Sequence, residues 1–259
     1  MADDQSVILA IDGPIATLTL NRPAVRNAID PTTHEQFVAG LETVVANESV
    51  RALIVTGAPP AFCSGGDIKN MGTRLATPPG QVAIRGWRRQ RHMQELVATL
   101  HRIALPTFAA VNGAATGVGA DIALACDFVV ASESAMFQMS YVLRGLIPDG
   151  GGMYFLPRRV GLAKAKDLFF SGRRVSGAEA VAMGLADRLV APDALLAETR
   201  RWALEMCAQS APAVALIKSI MDRTFESSPE VVYEAGAQAL AIAYTTDEHQ
   251  SAVREFLKK

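Results

Sequence analysis

Two aspartates and two glycine-rich turns are the residues best suited to chemistry in this sequence. Residues 145–152 read GLIPDGGG, which places one carboxylate, Asp149, between a proline and three glycines. A second carboxylate, Asp121, falls in the first turn of a predicted short helix within GVGADIALAC. Pro-Asp-Gly is also a good turn sequence, and a helix dipole stabilises an aspartate in the first turn. Structural and catalytic roles therefore compete at both positions.

The glycine-rich turns follow apolar strands. The segments are AFCSGGDIK and NGAATGVGADIALACD, and the second runs straight into a helix. The first N–H groups of a helix have no internal partner and lie at the positive end of its dipole, so they can hold an oxyanion or a phosphate. The sequence contains neither the G-x-G-x-x-G dinucleotide fingerprint nor the GK[ST] of a P-loop. Spacing alone leaves anion binding and tight packing as equal alternatives.

Composition excludes several classes of protein. The chain has 259 residues, of which 50% are hydrophobic and 20% charged, and its net charge is −1. This balance predicts a globular protein with neither a nucleic-acid nor a membrane partner. The three cysteines are widely spaced and form no C-x-x-C pair, which fits free thiols in a reducing compartment. The N-terminal MADDQSV is acidic and lacks the features of a signal peptide. We therefore expect a cytoplasmic protein.

Apolar strands alternate with helical segments through most of the chain, which predicts the α/β class. VILAID, IATLTL, ALIVTG, TFAAVNG and DFVVAS read as strands, and DPTTHEQFVAGLETVVAN reads as a helix capped by Asp30. From about Pro192 onward the spacing is helical, with Pro212 and Pro229 as breaks or starts. We predict an α/β core over residues 1–200 and a helical region over 201–259.

Several segments together resemble the crotonase superfamily, which comprises the enoyl-CoA hydratases and isomerases. They are NRPAVRNAID, AFCSGGDIK, PTFAAVNGAATGVGADIALACDFVVAS and GLIPDGGGMYFLPRRVGLAKAKDLFFSGRRVSGAEAVAMGLADRLV. The resemblance implies a spiral of repeated strand–strand–helix units and a C-terminal helical region that forms trimers or dimers of trimers. It also implies an acyl-CoA thioester as substrate, coenzyme A entering only as part of that substrate, and no metal or redox cofactor.

The resemblance also assigns an oxyanion hole and a substrate path. The two backbone donors are the N–H groups of Gly66 and Val118, which would stabilise a thioester enolate. Val118 departs from the usual glycine, and a β-branched residue adopts positive φ only at a cost, so the donor geometry stays open. The remaining residues that we expect to bind substrate are Arg26, Ala28, Ser64, Asp67, Ile68, Lys69, Gly117 and Tyr141.

The acids distinguish the possible reactions. Hydratases of the family hold a water between two glutamates, and Asp121 and Tyr141 stand at those two positions. A phenol with a pKa near 10 replaces a carboxylate poorly in hydration. Asp149 stands where isomerases of the family carry their acid. A double-bond shift or ring isomerisation requires one carboxylate, which removes a proton at C2 and returns it at C4.

The apolar residues around Asp149 are expected to shield it. We predict that they raise the pKa of Asp149 and exclude water from it. They are Met139, Leu146, Ile147 and Met153. Asp121 is expected to serve as a second proton carrier or only as a local charge.

Two further interpretations remain open. One is an enoyl-CoA hydratase that uses Asp121. The other is a member that binds RNA, or binds acyl-CoA without catalysis. Some family members bind RNA through a basic helix face, and a predicted helix of this chain carries one. The residues of that face are Arg85, Arg88, Arg89 and His92. We interpret it as a solvated face or a contact for CoA phosphates.

Overall fold

The computed structural model describes residues 5–67 and 77–258. The strands are β1 Val7–Asp12, β2 Ile15–Leu20, β3 Ala52–Gly57, β4 Ala61–Cys63, β5 Thr107–Val111, β6 Ala114–Thr116, β7 Phe128–Ser132, β8 Met136–Gln138, β9 Arg174–Ser176 and β10 Arg188–Val190. The helices are α1 Pro31–Ala46, α2 Pro79–Arg102, α3 Val118–Ala125, α4 Gly152–Val160, α5 Leu162–Ser171, α6 Gly177–Met183, α7 Leu195–Cys207, α8 Ala211–Met221, α9 Pro229–Ala243 and α10 Asp247–Phe256.

The strands form two sheets through a repeated unit. The larger sheet has the order β1-β2-β3-β5-β7-β10, and the smaller has the order β4-β6-β8-β9. Each of the pairs β3–β4, β5–β6 and β7–β8 gives its first strand to the larger sheet and its second to the smaller. Helices α2, α3 and α4 follow these pairs in turn. The predicted spiral of strand–strand–helix units is confirmed.

The central strands of the larger sheet, β3, β5 and β7, are buried, and their side chains alternate between its two faces. Residues Leu53 and Val55 of β3 pack into the core beneath α1, α2 and α3, whereas Ala52 and Ile54 face α7. Strands β5 and β7 divide in the same way. On the second face, Trp202 of α7 packs with its ring centroid 5.4 Å from that of Phe108. Strands β3, β5 and β7 therefore lie inside the protein, with helices on both sides, whereas Leu189 of the edge strand β10 is 39% exposed.

The strands and helices predicted from the sequence are present. The β1–β2 hairpin is antiparallel, and Asp30 caps α1 by accepting from the Thr33 N–H at 2.8 Å. The short strand β6 occupies part of the segment that was predicted as a turn before α3. It was not recognised because AAT is too short to show a strand period.

The C-terminal helices are attached to the body through polar contacts. Lys218 of α8 forms an ion pair with Asp127 at 2.7 Å, and the Tyr154 hydroxyl donates to the Asp222 carbonyl at 2.9 Å. Helices α8, α9 and α10 contain no buried residue. The predicted boundary at residue 200 falls within α7, whose Trp202 and Ala203 belong to the core. The division into 1–200 and 201–259 stays a prediction.

Two properties of the described residues bear on location. No helix within them is both long and apolar enough to cross a membrane. The three cysteines are free, and Cys63 and Cys126 are buried. The cytoplasmic location stays a prediction.

The long helix α2 is attached to α1 through two histidines. His34 of α1 is 2% exposed, and its Nε2–H donates to the His92 carbonyl at 2.8 Å. The two rings lie 3.8 Å apart. Because a carbonyl only accepts, Nε2 carries the proton, and the buried Nδ1 has no hydrogen-bond partner among the described residues. Burial lowers the pKa of His34, and neighbouring His92 lowers it further.

This contact predicts that His34 lowers the stability of the protein in mild acid. The folded-state pKa of His34 is below the unfolded value of about 6.5, so at this residue the unfolded chain binds more protons, and the contribution of His34 to stability falls as pH drops through about 6.5. On lowering the pH from about 7.5 to 5.5, we expect the Tm of His34→Gln, whose amide can still donate to the His92 carbonyl, to change more favourably than the Tm of the parent protein. The expected difference is roughly 2–4 °C, or about 1 kcal/mol for a chain of this size.

Thermal melting at both pH values tests this prediction. His249→Gln, a change in α10 remote from this contact, is the control. Equal changes in Tm between the two pH values for the parent protein and His34→Gln would contradict it.

Candidate active site

A small cavity lies where the turns after β4 and β6 meet the segment before α4. Its volume is about 100 Å³. The lining residues are Ser64, Gly65, Gly66, Gln90, Met93, Gly117, Val118, Ser140, Tyr141, Arg144, Leu146 and Asp149. The two glycine-rich turns and GLIPDGGG therefore meet at one place, although up to 85 residues separate them in sequence (64 to 149).

The turn after β4 presents Gly66 to the cavity. Gly65 has φ +99°, and a Cβ there would lie 2.9 Å from the Thr116 carbonyl oxygen, so no other residue fits without strain. The Ile29 N–H donates to the Gly65 carbonyl at 2.8 Å, and the Asp67 N–H donates to the Ile29 carbonyl at 3.0 Å. These bonds hold the backbone on both sides of Gly66.

The turn after β6 presents Val118. This residue begins α3, so its N–H has no partner within the helix. The positive φ of this turn, +54°, falls on Gly117 and not on Val118. A β-branched residue is therefore compatible with the donor position, which answers the question raised by its departure from glycine. Val118 is 6% exposed, and its side chain packs in the core while the residue lines the cavity.

Asp121 lies behind the cavity wall. Its side chain is completely buried, and it does not line the cavity. A Cβ at Gly150 would lie 2.5 Å from its Oδ2, and one at Gly152 would lie closer still to its Oδ1. Two of the three glycines after Asp149 are thus needed because the Asp121 carboxyl occupies the space beside them.

Within the described part of the chain, the Asp121 carboxyl has one side-chain partner. The Tyr141 hydroxyl donates to Oδ2, whereas the buried Oδ1 has no hydrogen-bond partner among the described residues. Burial raises the pKa of Asp121 to about 7, and the negative charge of Asp149 adds to the rise. The hydrogen bonds from Tyr141 and from the Gly150 N–H oppose it. Burial likewise raises the pKa of Tyr141 well above its usual value, with the Asp121 charge as the next cause.

Asp149 lies in the cavity wall and is half-buried. The Gln94 side chain on α2 donates to its backbone carbonyl at 3.0 Å. The expected apolar shield around it is largely wrong, because only Leu146 lines the cavity. Met139 is buried in the core, and Ile147 and Met153 are 67% and 52% exposed.

The other predicted substrate-binding residues are distributed unevenly. Ser64 and Gly117 line the cavity with Tyr141. Arg26 is exposed outside its lining, and its carbonyl accepts from the Ser64 N–H at 2.9 Å. Ile68 and Lys69 lie outside the described residues.

Ala28 and Asp67 have structural contacts. Ala28 is buried, and its carbonyl accepts from the Arg22 guanidinium at 2.6 Å. The same guanidinium lies 3.4 Å from the Asp67 carboxylate. Neither residue lines the cavity. Their assignment to substrate binding stays a prediction, as it does for every site residue named from the sequence.

Sequence reasoning missed several residues of the cavity. Gln90 and Met93 reach it from α2, and Arg144 reaches it from the segment after Tyr141. The sequence showed α2 chiefly as a run of basic residues, among which Arg85 and Arg88 are exposed. No local pattern marks Gln90 or Met93, since their place at the cavity depends on how α2 packs on α1.

No group of three or more His, Cys, Asp or Glu side chains among residues 5–67 and 77–258 is arranged to hold a metal ion. The cavity lining includes Gly66 and Val118, whose backbone amides can donate, the half-buried Asp149 carboxylate, and the Tyr141 phenol, which is bonded to the buried Asp121 carboxyl. This set suits the stabilisation of an oxyanion together with proton transfer beside it.

Comparison with known proteins agrees with this chemistry. The sequence matches the family described as enoyl-CoA hydratase/isomerase over residues 10–259. It is 33% identical to a Rhizobium meliloti protein named "Probable enoyl-CoA hydratase", over 98% of this chain and 96% of that one. It is 30% identical to the Escherichia coli 1,2-epoxyphenylacetyl-CoA isomerase, over 98% and 95%.

Solved structures of enoyl-CoA hydratases share the fold of this chain. A Mycobacterium smegmatis enoyl-CoA hydratase structure superposes with a TM-score of 0.88 at 30% identity, covering 98% of this chain and 96% of that one. The names of the relatives include both hydratases and an isomerase, so they agree on the class of enzyme and differ on the reaction. The resemblance seen in the sequence is confirmed: the chain belongs to the enoyl-CoA hydratase/isomerase family, within the crotonase superfamily.

Proposed function

We propose that this enzyme shifts a double bond, or isomerises a ring, in an acyl-CoA thioester, with Asp149 as the base. The observation that carries the proposal is the division of the two carboxylates. Asp149 lines the cavity with Gly66 and Val118, whereas Asp121 is buried behind its wall and bonded to Tyr141. Only one of the two therefore meets an acyl group in the cavity.

The thioester carbonyl oxygen is placed between the Gly66 and Val118 amides. As a base removes a proton from C2, negative charge develops on that oxygen, and the amides stabilise it more than they stabilise the neutral carbonyl. The positive end of the α3 dipole, equivalent to roughly half a charge, acts in the same direction. The reaction then needs only a proton returned at C4. It uses no metal and no redox cofactor.

A hydratase is the second candidate, because several relatives carry that name. Hydration requires a water held between two proton-transfer groups. At the positions of the two hydratase acids this chain has a buried Asp121 and a phenol. The geometry therefore supports isomerisation better. Parallel assays of the purified protein with 3-enoyl-CoA and 2-enoyl-CoA separate the two reactions.

If backbone amides hold the thioester, acyl-CoA binding should not require a metal ion. We expect an acyl-CoA to bind in the presence of a chelator, with an affinity equal to that measured without it. Calorimetric titration measures this directly. Failure to bind in both conditions would contradict the assignment of the cavity, and loss of binding only with chelator would contradict the metal-free mechanism.

The proposed base predicts a large loss of activity in Asp149→Asn. The amide keeps the shape of the side chain but cannot accept the C2 proton, so the rate of 3-enoyl-CoA isomerisation should fall by about 10²–10⁴. This equals roughly 3–5 kcal/mol of barrier. Acyl-CoA affinity should change little, because backbone amides hold the thioester, and Asp121→Asn should cost less.

Asp167→Asn, on the exposed surface of α5, is the matched control for the loss of one carboxylate. If Asp149→Asn isomerises at the parent rate while Asp121→Asn is inactive, Asp149 is not the base.

We also propose that the C-terminal helices mediate self-association into a trimer or a dimer of trimers. Their polar contacts attach them to the body, yet they expose large apolar side chains. Val231 and Ile242 of α9 are 58% and 54% exposed, and Tyr233 is 74% exposed. An apolar surface of this extent is typical of a protein–protein interface.

Light scattering tests the assembly. For the parent protein we expect a mass about three or six times the 27.6 kDa of one chain. The double change Val231→Asp and Ile242→Asp should shift the mass toward the monomer, because charges are costly in an apolar interface. Val45→Asp, at a 62% exposed valine on α1, is the control. A monomeric parent protein at micromolar concentration would contradict the proposal.

A further inference from the structure

Among residues 5–67 and 77–258, Tyr141 connects the buried carboxyl of Asp121 to the cavity. Asp121 has no exposed surface, whereas Tyr141 lines the cavity and donates its hydroxyl hydrogen to Asp121 Oδ2. Any proton that moves between Asp121 and a bound acyl group therefore has a direct route through the phenol. Tyr141 also faces Asp149, which lies in the wall of the same cavity.

The surroundings of Asp121 favour its protonated form. Gly150 and Gly152 enclose the carboxyl so closely that neither position accommodates a Cβ. The buried Oδ1 accepts no hydrogen bond from the described residues, which is a costly state for an ionised carboxylate. Burial and the Asp149 charge raise the pKa of Asp121 to about 7, so it holds and releases a proton near neutral pH.

The Tyr141 phenol is suited to transferring a proton but not to remaining ionised. Burial and the Asp121 charge raise the pKa of Tyr141 well above its usual value, so a tyrosinate is disfavoured. Cys63, the other titratable group that acts on Tyr141, is neutral because burial raises its pKa to about 12. When Asp121 is protonated, its O–H can donate to the phenol oxygen, and the phenol hydrogen is then free to point into the cavity.

We propose that Tyr141 delivers the returning proton to the acyl group and is reprotonated by Asp121. The inference rests on the proposed function, in which Asp149 takes the C2 proton. The Tyr141 O–H bond breaks as the new C4–H bond forms, and the Asp121 O–H bond breaks as the Tyr141 O–H bond re-forms. Asp121 ends ionised and Asp149 protonated. The cycle resets when Asp149 releases its proton to water and Asp121 takes one from water through Tyr141.

This route differs from return of the proton by Asp149 alone, and isotope labelling separates the two. In heavy water, delivery through Tyr141 should place close to one solvent deuterium at C4 of each product molecule. Return by Asp149 should carry part of the original C2 hydrogen to C4. Nuclear magnetic resonance of the product from protiated 3-enoyl-CoA measures the ratio.

Tyr141→Phe tests the delivery step. Isomerisation should fall by about 10²-fold, while exchange of the C2 proton with solvent, which requires only Asp149 and the two amides, should continue near the parent rate. Tyr154→Phe, which removes a hydroxyl bonded to the Asp222 carbonyl outside the cavity lining, is the matched control. The double variant Tyr141→Phe with Asp121→Asn should be no slower than Tyr141→Phe alone, because the two residues act as a unit.

Infrared spectroscopy of the enzyme without substrate reports on the hydrogen bond between Asp121 and Tyr141. The carbonyl stretch of protonated Asp121 should be present in mildly acidic solution, absent in Asp121→Asn and shifted in frequency in Tyr141→Phe. Isomerisation by Tyr141→Phe at the parent rate, or retention of the C2 hydrogen at C4 in the parent enzyme, would overturn the proposal. If either of these results is found but Asp149→Asn also loses C2 exchange, the Tyr141 route is wrong while the proposed role of Asp149 as base still holds.

Discussion

The backbone of helix α3 packs against the end of β4 more closely than a side chain would allow, and the geometry of the site depends on this contact. A Cβ on Gly119 would lie less than 3.0 Å from the Cys63 carbonyl oxygen at the end of β4. This contact brings the first turn of α3 against the turn that carries Gly66, so the two proposed oxyanion donors line one cavity. Replacement of Gly119 by any residue with a Cβ would separate them.

The same contact determines where Asp121 goes. All eight residues of α3 are buried, so a carboxylate in its first turn enters the protein interior and not solvent. The segment before α4 must then leave space for that carboxylate, and it does so with Gly150 and Gly152. The glycine run of GLIPDGGG is therefore explained less by the turn at Asp149 than by a side chain from a distant helix.

The fold was largely predictable from the sequence, because its evidence is local and periodic. The strands alternate with period two, Asp30 caps α1, and the motifs of the family are contiguous segments. The convergence of the two glycine-rich turns also followed from those motifs. The position of Asp121 behind Tyr141 did not, because a first-turn aspartate has the same local sequence whether it faces a cavity or a wall.

The shield around Asp149 shows a second limit of sequence reasoning. Ile147 and Met153 are apolar neighbours of the acid in sequence, yet both are more than half exposed. The segment GLIPDGGG has neither the helical nor the strand period, so its sequence cannot indicate which residues share a face. Gln90 and Met93, which do line the cavity, come from α2, where the contact between His34 and His92 fixes the helix.

Asp121 is costly for stability, which is itself informative about its role. Its pKa rises from about 3.9 in an unfolded chain to about 7 in the folded protein. The folded state therefore binds more protons between those values, and stability falls as pH rises from about 4 to 7. An asparagine would fit the same space without this pH-dependent loss but could not supply a proton to Tyr141. A carboxyl at this buried position is thus better explained by proton transfer than by packing.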